Sequence, residues 1–188
     1  MNALMLGVGT HAPRRKVKPV ETEHVTDEEI LWTTLDMLAE LKPDVVFDLN
    51  CIETSAYTPE HRLPFPDETF DEIHAYDVME HYGKQGDFRG FFTGWRELWR
   101  IIKPGGYVIG VVPLWSSKGA WSDPGHTRVI TDVVLSYLCR EWYKDNLGHP
   151  NSPLTDYRHL VDPCWWKLVH SDEDEKLGGY YFGLQKIE

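Results

Sequence analysis

The stretch "LPFPDETFDEIHAYDVMEH", residues 63–81, decides the fold. Pro64 and Pro66 keep the residues before them extended and out of a helix. The chain thus arrives straight at Phe70–Tyr76, a run that alternates as a strand does. The run ends in Asp77-x-x-Glu80-His81, for which a purely local reading needs only capping. Next comes "DFRGFFTGWRELWRIIKPGG" (87–106), with Phe88, Phe91, Phe92, Trp95, Leu98, Trp99 and Ile102 at helical spacing and a Lys-Pro-Gly-Gly stop. After the Gly105–Gly106 turn, "GYVIGVVP" (106–113) reads as another strand. Strand, helix and strand in that order make the repeating unit of a parallel sheet.

The same pattern extends outward. "ALMLGVGT" (3–10) reads as a buried strand entering a Gly7-x-Gly9 loop, and "EEILWTTLDM" (28–37) and "DVVFDLN" (44–50) are apolar runs that end in acids. On the other side, Thr131 opens a helix over "TDVVLSYLCREWYK" (131–144). "CWWKLVH" (164–170) and "GYYFGLQKI" (179–187) flank the acidic turn "SDEDEKLGG" (171–179) as a closing hairpin. The expected fold is α/β: a mostly parallel sheet with helices on both faces and a C-terminal antiparallel hairpin. No repeat or linker divides the 188 residues, so residues 1–188 are read as one domain.

Composition narrows the class. With 41% hydrophobic and 26% charged residues, 8 Trp and 9 Tyr, the chain can bury a core without disulfides or metals. No apolar run is long enough to span a bilayer and no leader is visible, so a cytoplasmic protein is expected. Cys51, Cys139 and Cys164 form no C-x-x-C pair and are expected to be free buried thiols. A net charge of −11 disfavours sequence-independent nucleic-acid binding, and the basic "RRKVK" (14–18) reads as a solvated loop. The nine histidines lack H-x-x-x-H and H-E-x-x-H spacings, so no metal site is expected.

In parallel sheets, ligands bind beyond the carboxyl ends of the strands, where the strand order reverses. Gly7 and Gly9, Asp36, Asp48, and Asp77 with Glu80 and His81 all fall at such ends. Glycine allows close backbone approach to a ligand, and carboxylates accept hydrogen bonds from ribose hydroxyls and an amine. These residues together describe a nucleoside site.

"LPFPDETFDEIHAYDVMEH" followed by "WRELWRIIKPGGYVIGVVP" (95–113) resembles the class I S-adenosylmethionine-dependent methyltransferases, in particular short, methyltransferase type 11-like members. The family shows a Leu-Pro-Phe-x-Asp-x-x-Phe-Asp run, a Glu-His pair and a Leu-Lys-Pro-Gly-Gly turn in this region, and the similarity covers residues 4–113. "WSDPGHTRVIT" (121–131) and "TDYR" (155–158) are similar to short phage-encoded members, for which the compartment is the host cytoplasm.

The resemblance implies a Rossmann-like domain that binds S-adenosyl-L-methionine. On that reading Gly7, Gly9, Asp36, Met37, Asp48, Leu49 and Asp77 bind the cofactor, with Asp36 on the ribose and Asp48 and Leu49 beside the adenine. "LPFPD" then lies near the adenine edge, and Asp77–His81 line the methyl-transfer face. His81 and His126 are the candidate catalytic residues. Trp121, Arg128, Tyr157 and Arg158 are candidate walls of the acceptor pocket, since aromatic rings orient planar substrates and Arg binds anionic groups in a fork.

Departures from the family pattern are specific. His11 stands where a third glycine is common, Met5 replaces an acid on the first strand, and Asp36 lies 27 positions past Gly9. Residues 10–30 are therefore expected to form an irregular excursion or a poor helix, and Glu21 or Glu23 rivals Asp36 for the ribose. The expected function is methyl transfer to a small molecule or a nucleic-acid component. The alternative is a non-catalytic cofactor-binding module with a regulatory or structural role. A nicotinamide dehydrogenase is disfavoured by the missing third glycine. The abundant Trp and Tyr are compatible with a buried homodimer face.

Overall fold

The structure, a computed structural model, describes residues 1–9, 13–52, 62–147 and 154–187. Its strands are β1 (Asn2–Leu6), β2 (Leu31–Asp36), β3 (Val45–Val46), β4 (Phe70–Tyr76), β5 (Ile102–Pro113), β6 (Trp166–Asp174) and β7 (Gly179–Lys186). They form one sheet in the order β3-β2-β1-β4-β5-β7-β6. The first five run parallel, β7 is antiparallel to β5, and β6 to β7. The expected α/β fold with its terminal hairpin is observed. Strand order reverses between β1 and β4, which sets the crevice of a parallel sheet at their carboxyl ends.

Alternation along the strands sorts the side chains onto two faces. Leu4, Leu6, Ile73, Ala75, Val108, Val112, Phe182 and Leu184 point to a large core shared with α1 (Phe88–Ile101), α3 (Asp132–Ser136), α4 (Arg140–Asn146) and α5 (Arg158–Val161). A fifth short helix, α2 (Gly119–Ser122), follows β5. The helix expected from the aromatic periodicity is α1, capped by the Asp87 side chain accepting from the Gly90 N–H, with Trp95, Leu98 and Ile101 fully covered. Most of the tryptophans and tyrosines serve this core, while Trp115 and Trp121 are exposed.

Three boundaries differ from the sequence reading. Helix α1 ends at Ile101 and β5 begins at once, so Lys103–Gly106 lie inside the strand and a register irregularity beside Phe70 and Glu72 absorbs them. The helix expected over 131–144 is two helices. Thr131 does cap the first, but the Trp166 N–H takes the Leu138 carbonyl and Cys139 bridges to Trp166, so the run breaks there and restarts at Arg140. Finally, β6 continues through Ser171–Asp174, which pair with Phe182–Gly179, and the turn proper is shorter than "SDEDEKLGG" suggests. Cys139 and Cys164 are buried free thiols as expected, whereas Cys51 is exposed.

The second face is smaller: Met5, Tyr76, Tyr107, Ile109 and Val111, with Val17, Trp32 and Tyr181 against them. Among the described residues its cover is the irregular segment that follows residue 12, with 3-10 turns at Val20–Thr22 and Asp27–Glu29. Arg15 anchors that cover and is buried, against the expectation of a solvated basic loop. Its guanidinium forks onto Glu72 at 2.9 and 2.7 Å and also donates to the Thr22 and Val25 carbonyls. Glu72 further accepts from the Thr22 hydroxyl at 2.6 Å and from His74 Nε2 at 2.9 Å, and His74 Nδ1 meets the Tyr76 hydroxyl at 2.6 Å. The Glu72 carboxylate can only accept, so His74 Nε2 carries a proton; in the neutral ring Nδ1 then accepts the Tyr76 O–H, whose oxygen also takes the Lys16 N–H.

Burial pulls the His74 imidazole below its ordinary value, against the pull of Glu72. For Glu72, burial acts upward, but the bonds from His74 and Thr22 and the Arg15 charge outweigh it and hold the carboxyl below its usual range. Both folded-state values lie below the unfolded ones, so the unfolded chain takes up protons first as the pH falls. The contribution is complete above about pH 6.5 and is lost on acidification below it. Urea unfolding at pH 7.5 and pH 5 should show the lower midpoint at pH 5, and His74→Gln should flatten that difference. Arg15→Met should cost about 3–5 kcal/mol by leaving Glu72 buried without its partner, and Arg15→Met with Glu72→Met should restore most of it.

Candidate functional site

Four neighbouring parallel strands end around one cavity of about 330 Å³, at the low end of the range for small-ligand sites. From β1 comes Gly7, from β2 Asp36 with Met37 and Leu38, from the segment after β3 Asp48, Leu49 and Asn50, and from the end of β4 Asp77, Val78 and His81. Each is delivered because an apolar run stops there and its last residue turns out of the sheet. Gly7 has φ +67°, and a Cβ there would sit 2.4 Å from Val78 Cγ2, so only glycine lets β1 and β4 close at this point.

Asp36 is held from both sides. Oδ2 accepts the Val8 N–H at 3.0 Å and Oδ1 the Leu38 N–H at 2.9 Å. A carboxylate has about four acceptor positions, so two stay available to a ligand hydroxyl pair. Met37 and Leu38 are 59% and 50% exposed, an unusual amount for apolar side chains on a cavity wall, and form a surface suited to a flat apolar group. Asp48 caps its own turn through the Asn50 N–H at 2.9 Å, and Asn50 Oδ1 accepts the Gly83 N–H, tying the loop after β4 to the segment after β3. Asp77 has φ +56°, a left-handed conformation for a non-glycine residue, and Lys16 Nζ lies 3.5 Å from its carboxylate.

Of the residues expected to bind a nucleoside cofactor, Gly7, Asp36, Met37, Asp48, Leu49 and Asp77 thus line one cavity, and His81 joins them. Gly9 does not; it is exposed, with φ +60° and open space around it. His11 lies outside the described residues. Glu21 lies close enough to Tyr107, a side chain of the second face, to add to burial in raising its phenol, and neither it nor Glu23 lines the cavity. "LPFPD" is at the amino end of β4, the wrong edge of the sheet for an adenine contact. Arg100 fastens it by donating to the Leu63 and Phe65 carbonyls and to Asp67, while Glu97 accepts the Leu63 N–H.

The residues expected on the acceptor side divide. Arg128 is a structural residue: its side chain is buried and donates to the main-chain carbonyls of Tyr82, Lys84 and Asp87, with its guanidinium over the Phe91 ring. Tyr157 stacks on Phe88 and leans on Phe92 and Tyr137, and Arg158 forks onto Asp156 at the surface. Trp121 is exposed and donates to the Trp115 carbonyl. None of these four lines the cavity.

His126 is carried to His81 by the loop after β5. The Thr127 and Arg128 N–H groups both donate to the Glu80 carbonyl, and the two imidazoles meet edge to face at 4.8 Å. Sequence reading placed Glu80 with Asp77 and His81 at a strand end but gave it no role of its own, because an acid there also looks like a cap. In the fold its side chain is buried, and burial, with the charges of Asp77 and Asp123 nearby, pushes the carboxyl up to about 7.

Comparison with known proteins gives a consistent picture. Residues 4–110 match the family model described as a methyltransferase domain. The sterol 24-C-methyltransferase of Eremothecium gossypii is 24% identical over 119 residues, 63% of this chain, and the chain spans 29% of that protein's length. Among solved structures, a SAM-dependent methyltransferase from Archaeoglobus fulgidus has a TM-score of 0.53 at 16% identity, over 98% of this chain and 86% of that one. The N-methyltransferase NodS from Bradyrhizobium japonicum WM9 scores 0.52 at 12% identity, over 100% and 86%. A second structure of NodS, in complex with S-adenosyl-L-homocysteine, scores 0.50 at 12% identity, over 100% and 78%.

Two arginines expected at the acceptor can be told apart by stability alone. Arg128→Ala should lower the unfolding free energy by about 2–4 kcal/mol, since it strips three carbonyls of a charged donor. Arg158→Ala, at an exposed pair, should stay within about 0.5 kcal/mol of the parent. Urea midpoints of the two variants check both values.

Proposed function

Because the chain belongs to the methyltransferase-domain family, we propose that it transfers the methyl group of S-adenosyl-L-methionine, held in the cavity between β1, β2 and β4, to an acceptor that enters past His81. The observation that carries the assignment of residues is the convergence of Gly7 and Asp36 on one cavity at the β1–β4 reversal. Asp36 takes the ribose hydroxyls on its two free acceptor positions, and Met37, Leu38 and Leu49 cover the base. Asp48 sits at the base's rim, and Asp77, beside the close approach that Gly7 permits, takes the amino end. NodS was solved with the demethylated product of such a cofactor, which supports the same ligand class here.

The bound cofactor supplies an already activated methyl group, so the chain's own task is to hold two reactants in line and keep water out. Three carboxylates at the rim suit a ligand that carries positive charge. His81 and His126 stand where the acceptor meets the cavity and orient it. The acceptor's class is a small molecule or a nucleic-acid component. Among the described residues no helix is long and apolar enough to cross a membrane. A module that binds without turning over is the competing reading, favoured by Gly9 standing off the cavity; it predicts tight cofactor binding with no methyl release across a broad acceptor panel.

Calorimetry should show binding of S-adenosyl-L-methionine and S-adenosyl-L-homocysteine and no heat with NAD; silence with both sulfur nucleosides on folded protein would end the assignment. Asp36→Asn should weaken both by roughly ten- to a hundredfold, because the charge-assisted bonds to ribose hydroxyls are worth about 1.5–3 kcal/mol. Glu21→Gln and Glu23→Gln should leave the affinity unchanged.

A further inference from the structure

Glu80 is an expensive residue as it stands. Its side chain is 4% exposed, and neither carboxyl oxygen has a hydrogen-bond partner among the described residues. Buried polar groups left unpaired cost about 1–3 kcal/mol each, and natural folds satisfy nearly all of them. The fold has gone to some length to build this arrangement. The Glu80 carbonyl receives two N–H groups and the Thr127 hydroxyl, which presses the 123–130 loop onto the Met79–His81 turn.

That loop brings His126 Nε2 to 3.9 Å from Glu80 Oε1 and leaves His126 Nδ1 buried, again with no partner among the described residues. His81 Nδ1 lies 2.9 Å from the Gly125 carbonyl, which can only accept, so Nδ1 carries the proton and Nε2 keeps its lone pair. A carbonyl on the far nitrogen is the usual way a metal-binding imidazole is oriented. One donor atom from each of Glu80, His81 and His126 lies within 4.8 Å of the others. Metal bonds of about 2.0–2.2 Å would bring such atoms to roughly 3–4 Å apart, a contraction of about an ångström per side chain or less.

We propose that Glu80, His81 and His126 form a site for a divalent transition-metal cation of the zinc, manganese or cobalt class, with coordination positions left open to an outer oxygen ligand. The donor set selects the class: two imidazoles and one carboxylate suit these metals, whereas calcium and magnesium favour all-oxygen shells. Three protein ligands leave room on the metal. His81 belongs both to this triad and to the cavity wall, so an oxygen of the methyl acceptor fits the open position. Only that last placement rests on the methyltransferase reading; the cation site itself does not. The site escapes any spacing motif because His126 is 45 residues past His81 and is brought to it by the sheet.

Tag-free, chelator-stripped full-length protein titrated with Co²⁺ tests the proposal. One Co²⁺ per chain should bind with visible absorption bands, and acetohydroxamate, a small oxygen chelator, should shift those bands. Glu80→Gln and His126→Ala should weaken Co²⁺ by more than the roughly 10–100-fold that loss of an outer partner costs, at an unchanged fold by circular dichroism. No uptake, or uptake indifferent to both substitutions, overturns the site; bands that ignore acetohydroxamate overturn the open positions. S-adenosyl-L-homocysteine binding, measured on the same samples without metal, keeps the two readings separate. Nucleoside binding without Co²⁺ sinks only the metal, and Co²⁺ without nucleoside sinks only the cofactor assignment.

Discussion

The buried pair of Arg15 and Glu72 is the constraint around which the molecule is arranged. Parallel sheets need cover on both faces, since water on either side would leave the apolar run of each strand exposed. One face here has four helices packed on it, and the other has an irregular segment rich in proline and charge. Such a segment cannot hold itself against a sheet by apolar contact alone. It is held by a fork from Arg15 onto Glu72 in the middle of β4, with Thr22 on the same carboxylate and Lys16 on Tyr76 four residues further along. Those contacts return the chain to the point where the Leu31 N–H meets the Met1 carbonyl, and from there β2 has one register and Asp36 one position.

What was legible in the sequence follows from the range of the forces involved. Strand identities came from apolar runs, and the acids that end them were visible for the same reason, so Gly7, Asp36, Asp48 and Asp77 could be placed together before any coordinates. Contacts that join distant segments left no such trace. Arg15 sits in a run of basic residues that looks solvated, and nothing near it in sequence shows Glu72. Arg128, read as a residue that meets the acceptor, spends its guanidinium on carbonyls more than forty positions away. The break after Leu138 has the same origin: helical periodicity continues through Cys139, but β6 claims the carbonyl that the helix would need.

The two ends of the cavity make different demands on the chain. Where β1 to β4 stop, position is what matters, and short strands that end in step are sufficient to bring Gly7, Asp36, Asp48 and Asp77 together. At the other end the chain gathers groups that are costly in isolation, with a covered carboxyl and two imidazoles on segments pinned by main-chain bonds. A fold tolerates such a cluster when something beyond the apo protein stabilises it. The separation also explains why the anchor of the 123–130 loop, Arg128, lies outside the cavity: it fixes the loop's geometry from behind and leaves the inner side free.

The long edge of the sheet is β6, which beyond the Cys139 bridge at Trp166 is paired along one side only and ends in Asp172, Glu173 and Asp174. An open edge is a template on which a second copy could add its own strand. Two such edges brought together here would set rows of carboxylates against one another, and the bulge after Leu168 bends the ladder away from a straight partner. The acidic end of β6 therefore makes this edge a poor template for strand addition, and the sheet is closed to growth on that side by charge and by shape.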